Sequence, residues 1–562
     1  MTCRPIAALL LCACLAGTAC QRTPAPPPAA ESGAEPEPAP PARPKPPNDT
    51  PAGQRIEAYV VALADDAMQG REAGTPGYER AADYVADRFA QIGLLPAGDD
   101  GGWLRAVPLL RATAVAEGAR FEIRRGDSVT ALAFGKQFLP GVNFDHREHS
   151  VEAEAVFVAQ AVHAPRLGHD DFAGLDLRGK IAVMFGGAPG TFDDNQRAFH
   201  ASRREKLRNV AERGAVGAVF VNTVDDEARA PWARAVQQVA RPAMRLRAPD
   251  GRGIDTWPQL RATATVSAAA ADALFEGSDR NAAQLFDAAR EGRLKGFKLP
   301  VVLQLAGRSR IEPVESSNVV GRIAGSDPSL AAEHIVYTAH LDHLGGSGDA
   351  IHSGALDNAL GVAIMLEAAR ELATAPAPKR SLLFVALTAE EKGLLGAEWF
   401  ARHPPAGATL VANINLDMPM LTAPTTDVVP IGIAHSSLDA PVEAAAAEIG
   451  VALSPDPFPE EVVFVRSDQY AFVRAGIPAV YLMGGMIGAN PGQDPKLAMT
   501  WFLRNCYHQP CDDTSLPIQY GDAARMARLG ARIGQLVADA QERPAWNAGD
   551  FFGEKFGGGG GR

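Results

Sequence analysis

Seven acidic and histidine residues in the second half of the chain have types suited to catalysis, and most of them follow apolar segments. They are His340 and Asp342 after HIVYTA, Asp357 in SGALDNALG, Glu390 and Glu391 following SLLFVALT, Asp417 after LVANINL, and His508 in CYHQPCDD. Imidazoles and carboxylates together are ligands suited to borderline divalent metals, above all zinc. Two such ions need a negatively charged ligand shared between them, and a two-metal site can activate water. The residue types therefore predict a metal-dependent hydrolytic centre.

Each of these residues also has an ordinary structural interpretation. Asp357 precedes a predicted helix and would be a good N-cap, and Glu390–Glu391 would be favoured by the dipole at a helix start. The neighbouring glutamates could instead divide two tasks, one binding metal and the other accepting a proton from water. The arrival of all the groups in order, each at the end of a predicted strand, favours a site.

The same segments predict the scaffold that would bring these residues together. From residue 311 to 545, short apolar runs alternate with longer amphipathic runs of helix length. This alternation is typical of a mostly parallel sheet flanked by helices, the α/β class. Functional groups in such sheets collect beyond the carboxyl ends of the strands, which is where these seven residues are expected.

Composition and pattern divide the 562 residues into six segments. In chain order they are a predicted signal peptide (1–20), a Pro/Ala-rich disordered tether (21–50), a helical block (51–135), a β-rich block (136–305), the α/β block (306–545) and a Gly-rich tail (546–562). With 54 basic and 66 acidic residues the net charge is −12. Because a phosphate backbone would repel such a chain, nucleic acid is not an expected partner.

The first twenty residues, MTCRPIAALLLCACLAGTAC, are typical of a secretory leader. The ending GTAC resembles a bacterial lipoprotein cleavage box, with Cys20 lipidated, although Gly17 stands where a larger aliphatic residue is usual. Simple cleavage after Ala19 is the alternative. We expect a periplasmic or outer-membrane-anchored lipoprotein, or else a secreted protein, that contacts a membrane only through its N-terminal lipid.

Cys506 and Cys511 are the only cysteines beyond Cys20. An even pair in an oxidising compartment is compatible with a disulfide. Two buried thiols explain the same pattern, and the sequence leaves both open.

A family resemblance rests on several motifs taken together. TAHLDHLG, SGALDNALG, TAEEKGLLGA, NLDM, VRSDQYAFVRAGIPAVYL and YHQPCDD resemble the M28 metallopeptidases, the zinc aminopeptidase family. The upstream LADDAMQGREAGTPG is similar to the family's N-terminal segment, while GKIAVMFGG and REKLRNVAERGAVGAVFVN resemble a protease-associated (PA) domain. The resemblance implies a peptidase domain built from 51–135 and 306–545, with a β-rich PA-like domain inserted at 136–305.

The resemblance also implies two zinc ions per chain and a role for each candidate residue. The implied ligands are His340 and Asp417 for one zinc, Glu391 and His508 for the other, and Asp357 as the bridge. Glu390 would be the general base, and Asp342 would hydrogen-bond the imidazole of His340. The implied function is an exported aminopeptidase that removes N-terminal residues from peptides by means of a metal-activated water.

Two departures from the family pattern lie close to these residues. Gln469 stands where many relatives have His, and Leu356 precedes Asp357 where an acid or Asn is common. Neither departure removes an implied ligand, so we expect an active enzyme.

Three further residues could contact substrate. Tyr481 could donate to an oxyanion, Met418 could line the pocket for the first side chain, and Arg466 could bind a substrate carboxylate. Their ordinary interpretations are a packed aromatic, a buried residue after a strand, and a surface ion pair.

Other functions are compatible with the same scaffold. A glutaminyl cyclase needs only one zinc, a carboxypeptidase or dipeptidase needs a cationic group for the substrate carboxylate, and a catalytically silent peptide-binding protein needs neither. The complete ligand set favours the aminopeptidase.

Overall fold

The structure is a computed structural model, and it describes residues 48, 50–347 and 350–559. The predicted leader with Cys20, and nearly all of the predicted tether, lie outside the described residues. Among the described residues, no helix combines the length and the apolar character needed to cross a membrane.

The described elements alternate between strand and helix through the second half of the chain, as expected. The strands are β1 (Leu95–Pro96), β2 (Leu104–Arg125), β3 (Ser128–Ala131), β4 (Phe138–Pro140), β5 (Glu148–Phe157), β6 (His163–Ala164), β7 (His169–Asp170), β8 (Ile181–Phe185), β9 (Gly217–Val221), β10 (Ala243–Leu246), β11 (Ala262–Val266), β12 (Phe297–Ile323), β13 (Glu333–His340), β14 (Gly346–Ser347), β15 (Ala350–Ile351), β16 (Ser381–Leu387), β17 (Thr409–Asn415), β18 (Asp427–Ile431), β19 (Ala452–Leu453) and β20 (Ala479–Gly484). The helices are α1 (Pro51–Leu63), α2 (Pro76–Ile92), α3 (Asp194–Ala201), α4 (Arg203–Glu212), α5 (Val224–Arg229), α6 (Trp232–Gln238), α7 (Asp272–Phe275), α8 (Ala282–Arg290), α9 (Leu360–Thr374), α10 (Leu395–Arg402), α11 (Asp439–Ile449), α12 (Gln469–Arg474), α13 (Pro495–Asn505), α14 (Tyr520–Asp539) and α15 (Phe551–Phe556).

The sheet that carries the candidate residues has the order β19-β18-β20-β17-β13-β16-β12. Strands β20, β17, β13 and β16 are parallel, while β12 runs antiparallel to β16 and β18 runs antiparallel to β20. The central strands β13 and β16 are buried along nearly their whole length, as in parallel sheets covered on both faces. The predicted fold class, a mostly parallel sheet flanked by helices, is confirmed.

Helices cover both faces of this sheet. On one face α1, α2, α9 and α14 form a continuous apolar core that includes Val60, Phe89 and Leu366. On the other face α10 and α12 pack Phe400 and Phe472 against the opposite side chains of the same strands. Because α9 is buried between the sheet and other helices, its apolar residues run around the helix rather than along one stripe.

A second group of strands, β5-β8-β9-β11-β4, continues from the first sheet through the long strand β12. Strands β5, β8, β9 and β11 are parallel, and they enclose their own apolar core of Phe157, Phe185 and Phe275. These strands lie within the predicted inserted block 136–305. The exact boundaries of the six segments stay predictions.

The structure differs from the expectation of a Gly-rich tail at 546–562. Helix α15 begins at Phe551 with Asp550 as its N-cap, and Phe552 is fully buried. Trp546 donates its indole N–H to the carbonyl of Gly476 at 2.9 Å. The apolar side chains of this short segment therefore pack it against the sheet domain. Its high glycine content led to the expectation of an unstructured tail.

Candidate metal centre

The candidate ligands meet at one edge of the sheet. In the ladder between β13 and β16, His340 is paired with Leu387, so the chain segments that follow both strands leave the sheet side by side. Asp417 follows β17 by two residues, on the other side of β13. The turn Ala355–Ala359 brings Asp357 to the same edge immediately before α9. Parallel pairing thus assembles groups that are far apart in sequence.

The first cluster consists of His340, Asp357 and Asp417. The Nε2 atom of His340 lies 3.2 Å from Oδ1 of Asp357 and 3.0 Å from Oδ1 of Asp417. The ligand atoms of the three residues lie within 4.8 Å of one another, close enough to hold one cation. All three side chains are buried.

The second cluster consists of His343, Asp357 and Glu391. The Nδ1 atom of His343 lies 2.8 Å from Oε1 of Glu391 and 3.8 Å from Oδ2 of Asp357. His508 reaches the same two carboxylates, with Nε2 at 3.2 Å from Oδ2 of Asp357 and 3.2 Å from Oε2 of Glu391. The structure therefore brings together all five residues implied as ligands, and adds His343.

Asp357 is common to both clusters and presents one oxygen to each. A carboxylate shared in this way is what two neighbouring cations require to offset their repulsion. The donor set of imidazole nitrogens and carboxylate oxygens fits zinc.

The electrostatics of the centre favour cations. Burial opposes protonation of His508, but its hydrogen bonds to Asp357 and Glu391 prevail and raise its pKa to about 10. Burial and the Asp357 charge both favour neutral Glu391, yet hydrogen bonds from His343 and His508 lower its pKa to about 2. The raised pKa of His508 reflects the negative charge of the neighbouring carboxylates, and the lowered pKa of Glu391 reflects the two imidazole groups that hydrogen-bond to it.

Glu390 lies beside this cluster without joining it. Burial raises the pKa of Glu390 well above its ordinary value; His340 opposes the shift, whereas Asp417 and Glu391 add to it. A carboxyl group raised in this way binds a proton more readily than an exposed one.

The contact between Asp342 and His340 differs from the expected one. The Nδ1 atom of His340 lies 3.0 Å from the main-chain carbonyl oxygen of Asp342, rather than from its carboxylate. The carboxylate instead accepts hydrogen bonds from the backbone N–H groups of Glu390 at 3.0 Å and Glu391 at 3.4 Å. Asp342 therefore fixes the His340 ring through its backbone and the Glu390–Glu391 turn through its side chain.

A buried polar chain holds Asp417. Ser467 donates its hydroxyl to Oδ2 of Asp417 at 2.5 Å, and Asn415 donates to Oγ of Ser467 at 3.0 Å. Asn415 also donates to Oε1 of Gln469 at 2.8 Å, and Gln469 donates in turn to two main-chain carbonyl groups. Gln469, the departure noted in the sequence, thus supports Asp417 through Asn415 and Ser467.

The Asp357 turn is held by the segment that carries His508. The carboxylate of Asp512 accepts the backbone N–H groups of Leu356 at 2.8 Å and Asp357 at 3.0 Å. Cys506 and Cys511 form a disulfide that closes the loop around His508. Asp512 follows this closed loop directly and so connects the Asp357 turn to the segment that carries His508.

The N-terminal segment contributes Arg71, which is fully buried against the same loops. Its guanidinium donates to the carbonyl oxygens of Leu341 at 2.8 Å, Leu63 at 2.5 Å, Ser353 at 2.7 Å and Gly354 at 3.0 Å. Leu341 lies between the His340 and Asp342 positions, and Gly354 begins the Asp357 turn. Arg71 therefore connects the segment that carries His340 with the turn that carries Asp357.

The three residues proposed to contact substrate lie in different environments. Tyr481 is buried and donates its hydroxyl to the main-chain carbonyl of Asp417 at 2.6 Å, which is its ordinary packed interpretation. Met418 is half-buried next to Asp417, at the rim of the centre. Arg466 is exposed and forms an ion pair with Glu461 at 2.8 Å, as in the surface interpretation.

Comparison with known proteins agrees with this geometry. Residues 318–533, which contain all the candidate ligands, match the sequence profile described as peptidase family M28. Residues 151–254 match that of the PA domain. The chain carries an M28 peptidase domain and a PA domain. The family expectation from the motifs is confirmed.

Among curated proteins, this M28 chain is similar to a "Probable zinc metalloprotease" of Pyrenophora teres f. teres, with 40% identity over 115 residues that cover 19% of this chain and 23% of that protein. It is also similar to a "Vacuolar membrane protease" of Lachancea thermotolerans, with 35% identity over 131 residues, 23% of this chain and 13% of the other. The chain thus spans less than a quarter of the length of these two relatives.

Among solved structures, the chain resembles an aminopeptidase from Aneurinibacillus sp. strain AM-1. The identity is 21%, the TM-score is 0.51, and the match covers 87% of this chain and 97% of that one. At this identity the likeness concerns the fold, and it extends over both the sheet domain and the inserted domain.

Four residues of the centre were missed by sequence reasoning: His343, Arg71, Ser467 and Asp512. His343 lies in the motif HLDH, only three residues after His340, and its type was a usable signal. Gly354 explains how the ring fits, because a Cβ there would lie 2.7 Å from His343 ring atoms. The other three, Arg71, Ser467 and Asp512, act through contacts with backbone or side-chain groups. No local sequence pattern predicts such contacts.

Proposed function

We propose that this M28 chain is a dinuclear zinc aminopeptidase that removes N-terminal residues from peptides. The observation that carries the proposal is the sharing of Asp357 between two clusters of potential ligands, with Glu390 adjacent to both. One ion would be held by His340 and Asp417, the other by Glu391 and His508, with Asp357 between them.

Two zinc ions bound at these positions would supply Lewis-acid polarisation of a peptide carbonyl and activation of a water molecule. Glu390 accepts the proton of that water and passes it to the leaving amine, a role that its raised proton affinity supports. Asp342 holds the backbone of Glu390 and so fixes the direction from which its carboxylate approaches.

Export is part of the proposal. The Cys506–Cys511 disulfide supports an oxidising compartment, in agreement with the secretory pattern of residues 1–20. Lipidation at Cys20 and anchoring to a membrane remain predictions from the sequence.

The test is a rate measurement on aminoacyl-anilides with a free amine and on their N-acetylated counterparts. We expect cleavage of the free-amine substrates only, loss of activity after chelation, and recovery with zinc. Glu390→Gln should lower kcat by several orders of magnitude while still binding two zinc ions per chain. Two bound zinc ions without cleavage of any free-amine substrate would contradict the aminopeptidase assignment and favour the cyclase or carboxypeptidase alternatives. No bound zinc would contradict the site itself.

A further inference from the structure

A cavity of about 190 Å³ lies in the inserted region, away from the residues of the metal centre. Its wall combines the segment 141–144, the first turn of α4 with Arg203 and Leu207, Arg245 at the end of β10, and the segment 255–263. Leu207, Trp257 and Leu260 give the cavity an apolar side. At roughly 30 Å³ per water molecule in the liquid, this volume suits a single amino-acid residue.

Two guanidinium groups of this wall lack an acidic partner. Within the part of the chain that the structure describes, neither Arg203 nor Arg245 has a carboxylate oxygen within 4.0 Å. Aromatic rings hold both groups in place, since Arg203 lies 3.8 Å from the ring centre of Phe220 and Arg245 lies 5.1 Å from that of Phe144. Stacking of this kind fixes the guanidinium plane. Nη1 of Arg245 also donates to the main-chain carbonyl of Met244 at 2.8 Å, which leaves its other N–H groups available for a ligand.

The carboxylates nearby are already engaged by other arginines. Asp255 lines the cavity but forms an ion pair with Arg204. Glu398 accepts Arg204 at 2.9 Å and Arg402 at 2.8 Å. Burial lowers the pKa of Arg245, and the charge of Glu398, which forms no ion pair with it, opposes that shift. Arg203 is exposed to solvent, and Arg245 is half-buried.

The loop that closes the cavity has an unusual backbone. Asp255 and Trp257 have φ values of +57° and +49°, in the left-handed region that residues with a side chain seldom occupy. Residues with such backbone conformations cluster at active sites and ligand-binding segments. Here they direct both residues to the wall of the same cavity.

We propose that this cavity binds a carboxylate carried by a single apolar residue, such as the C-terminal residue of a peptide. Arg203 and Arg245 donate hydrogen bonds to the carboxylate oxygens, and Leu207, Trp257 and Leu260 contact the apolar part. The site is distinct from the metal centre and gives the inserted domain a binding role that goes beyond the proposed peptidase activity.

The test is calorimetric titration of the full chain, kept metal-free with a chelator so that the metal centre cannot compete for carboxylates. The probes are N-acetyl-Ala-Leu with a free C-terminus, its C-terminal amide, the amide of N-acetyl-Asp, and inorganic phosphate. We expect the free acid to bind at least tenfold more tightly than its amide. Binding of the N-acetyl-Asp amide in place of the free acid would identify a side-chain carboxylate as the ligand and overturn the C-terminal assignment.

Substitutions locate the binding. Arg203→Gln and Arg245→Gln should each weaken binding of the free acid about tenfold or more, whereas Arg203→Lys should weaken it less. The exposed Arg166 of the same region serves as the matched control, and Arg166→Gln should bind as the native chain does. Circular dichroism and the unfolding temperature establish that each variant is folded. Equal binding of acid and amide, unchanged binding by both cavity variants, or phosphate binding as tight as that of the acid would each overturn the proposal.

Discussion

The Nδ1 atom of His343 lies 2.8 Å from Oε1 of Glu391, while the other oxygen of this carboxylate faces Nε2 of His508 at 3.2 Å. Glu391 thus lies between two imidazoles that differ in solvent exposure. His508 is partly exposed at the open side of the centre, and His343 is completely enclosed beneath it. The two histidines can therefore have different functions, although both face the same pair of carboxylates.

We infer that His343 positions Glu391 and does not bind metal itself. A histidine that binds metal ordinarily donates its other ring N–H to an acceptor, as His340 does through Nδ1 to the Asp342 carbonyl. The Nε2 atom of His343 is buried and has no hydrogen-bond partner among the described residues. An Nε2 atom without a hydrogen-bond partner is compatible with a neutral ring whose proton is on Nδ1 and is directed at Glu391.

The matched pair His343→Asn and His343→Gln tests this role. The Asn amide places an N–H group near the position of Nδ1, whereas the Gln amide places it near that of Nε2. We expect Asn to keep zinc affinity at the Glu391 position within a few-fold, and Gln to lower it about ten- to a hundredfold. Zinc competition with a chromophoric chelator measures both. If Asn and Gln weaken zinc equally, His343 is a ligand and the inference is wrong.

Arg71 is expected to be essential to the geometry of the centre. Arg71→Met would leave four buried carbonyl groups without their donor, each at a cost of about 1–3 kcal/mol. The variant should unfold at a markedly lower temperature and lose zinc more readily on chelation. Arg71→Lys keeps the positive charge but not the planar guanidinium with its several N–H donors. It should therefore recover only part of the unfolding temperature and of the zinc retention.

The control for this prediction is Arg80→Met. Arg80 is an exposed arginine of α2 that donates to a single carbonyl, that of Ala67 at 2.7 Å. Its substitution should leave zinc retention unchanged. Native zinc retention in Arg71→Met would show that the loops hold their positions without the guanidinium.

Sequence reasoning identified the residues that lie at strand ends, because parallel pairing fixes where such residues meet. His340, Asp357 and Asp417 follow from the alternation of strands and helices with little further information. His343 could not be placed in the same way, since it does not end a strand and its ring fits beside Glu391 only because Gly354 has no Cβ. Arg71 acts on backbone carbonyl groups that are distant in sequence, and no periodic pattern encodes such contacts.

Ser467 is predicted to affect one metal position and not the other. Its hydroxyl donates to Oδ2 of Asp417 and has no contact with Glu391, so Ser467→Ala should weaken zinc at the His340–Asp417 position about tenfold. Affinity at the Glu391–His508 position should stay native. Stepwise zinc titration followed by calorimetry resolves the two events. Equal weakening of both steps would mean that the substitution disturbs the whole sheet edge instead of the Asp417 carboxylate.

Lys206 provides a prediction about stability and pH in the inserted domain. Its side chain is buried, and Nζ donates to the carbonyl oxygens of Gln160 and of Gly187, the latter at 2.6 Å. Burial lowers its pKa to about 7, although Asp171 opposes the shift. In the unfolded chain the same group titrates near 10.4. Between these values the unfolded state binds more protons than the folded state, so stability must rise with pH.

From pH 7 to pH 9 this group should add about 2 kcal/mol to the stability of the inserted domain. Lys206→Met removes the titrating group, and its cost in lost hydrogen bonds does not vary with pH. The native chain should therefore gain unfolding temperature relative to Lys206→Met as the pH is raised across this range. Thermal unfolding of both proteins in matched buffers measures the difference. A constant gap between the two proteins from pH 7 to pH 9 would show that Lys206 stays charged when buried, held by its two carbonyl acceptors and Asp171.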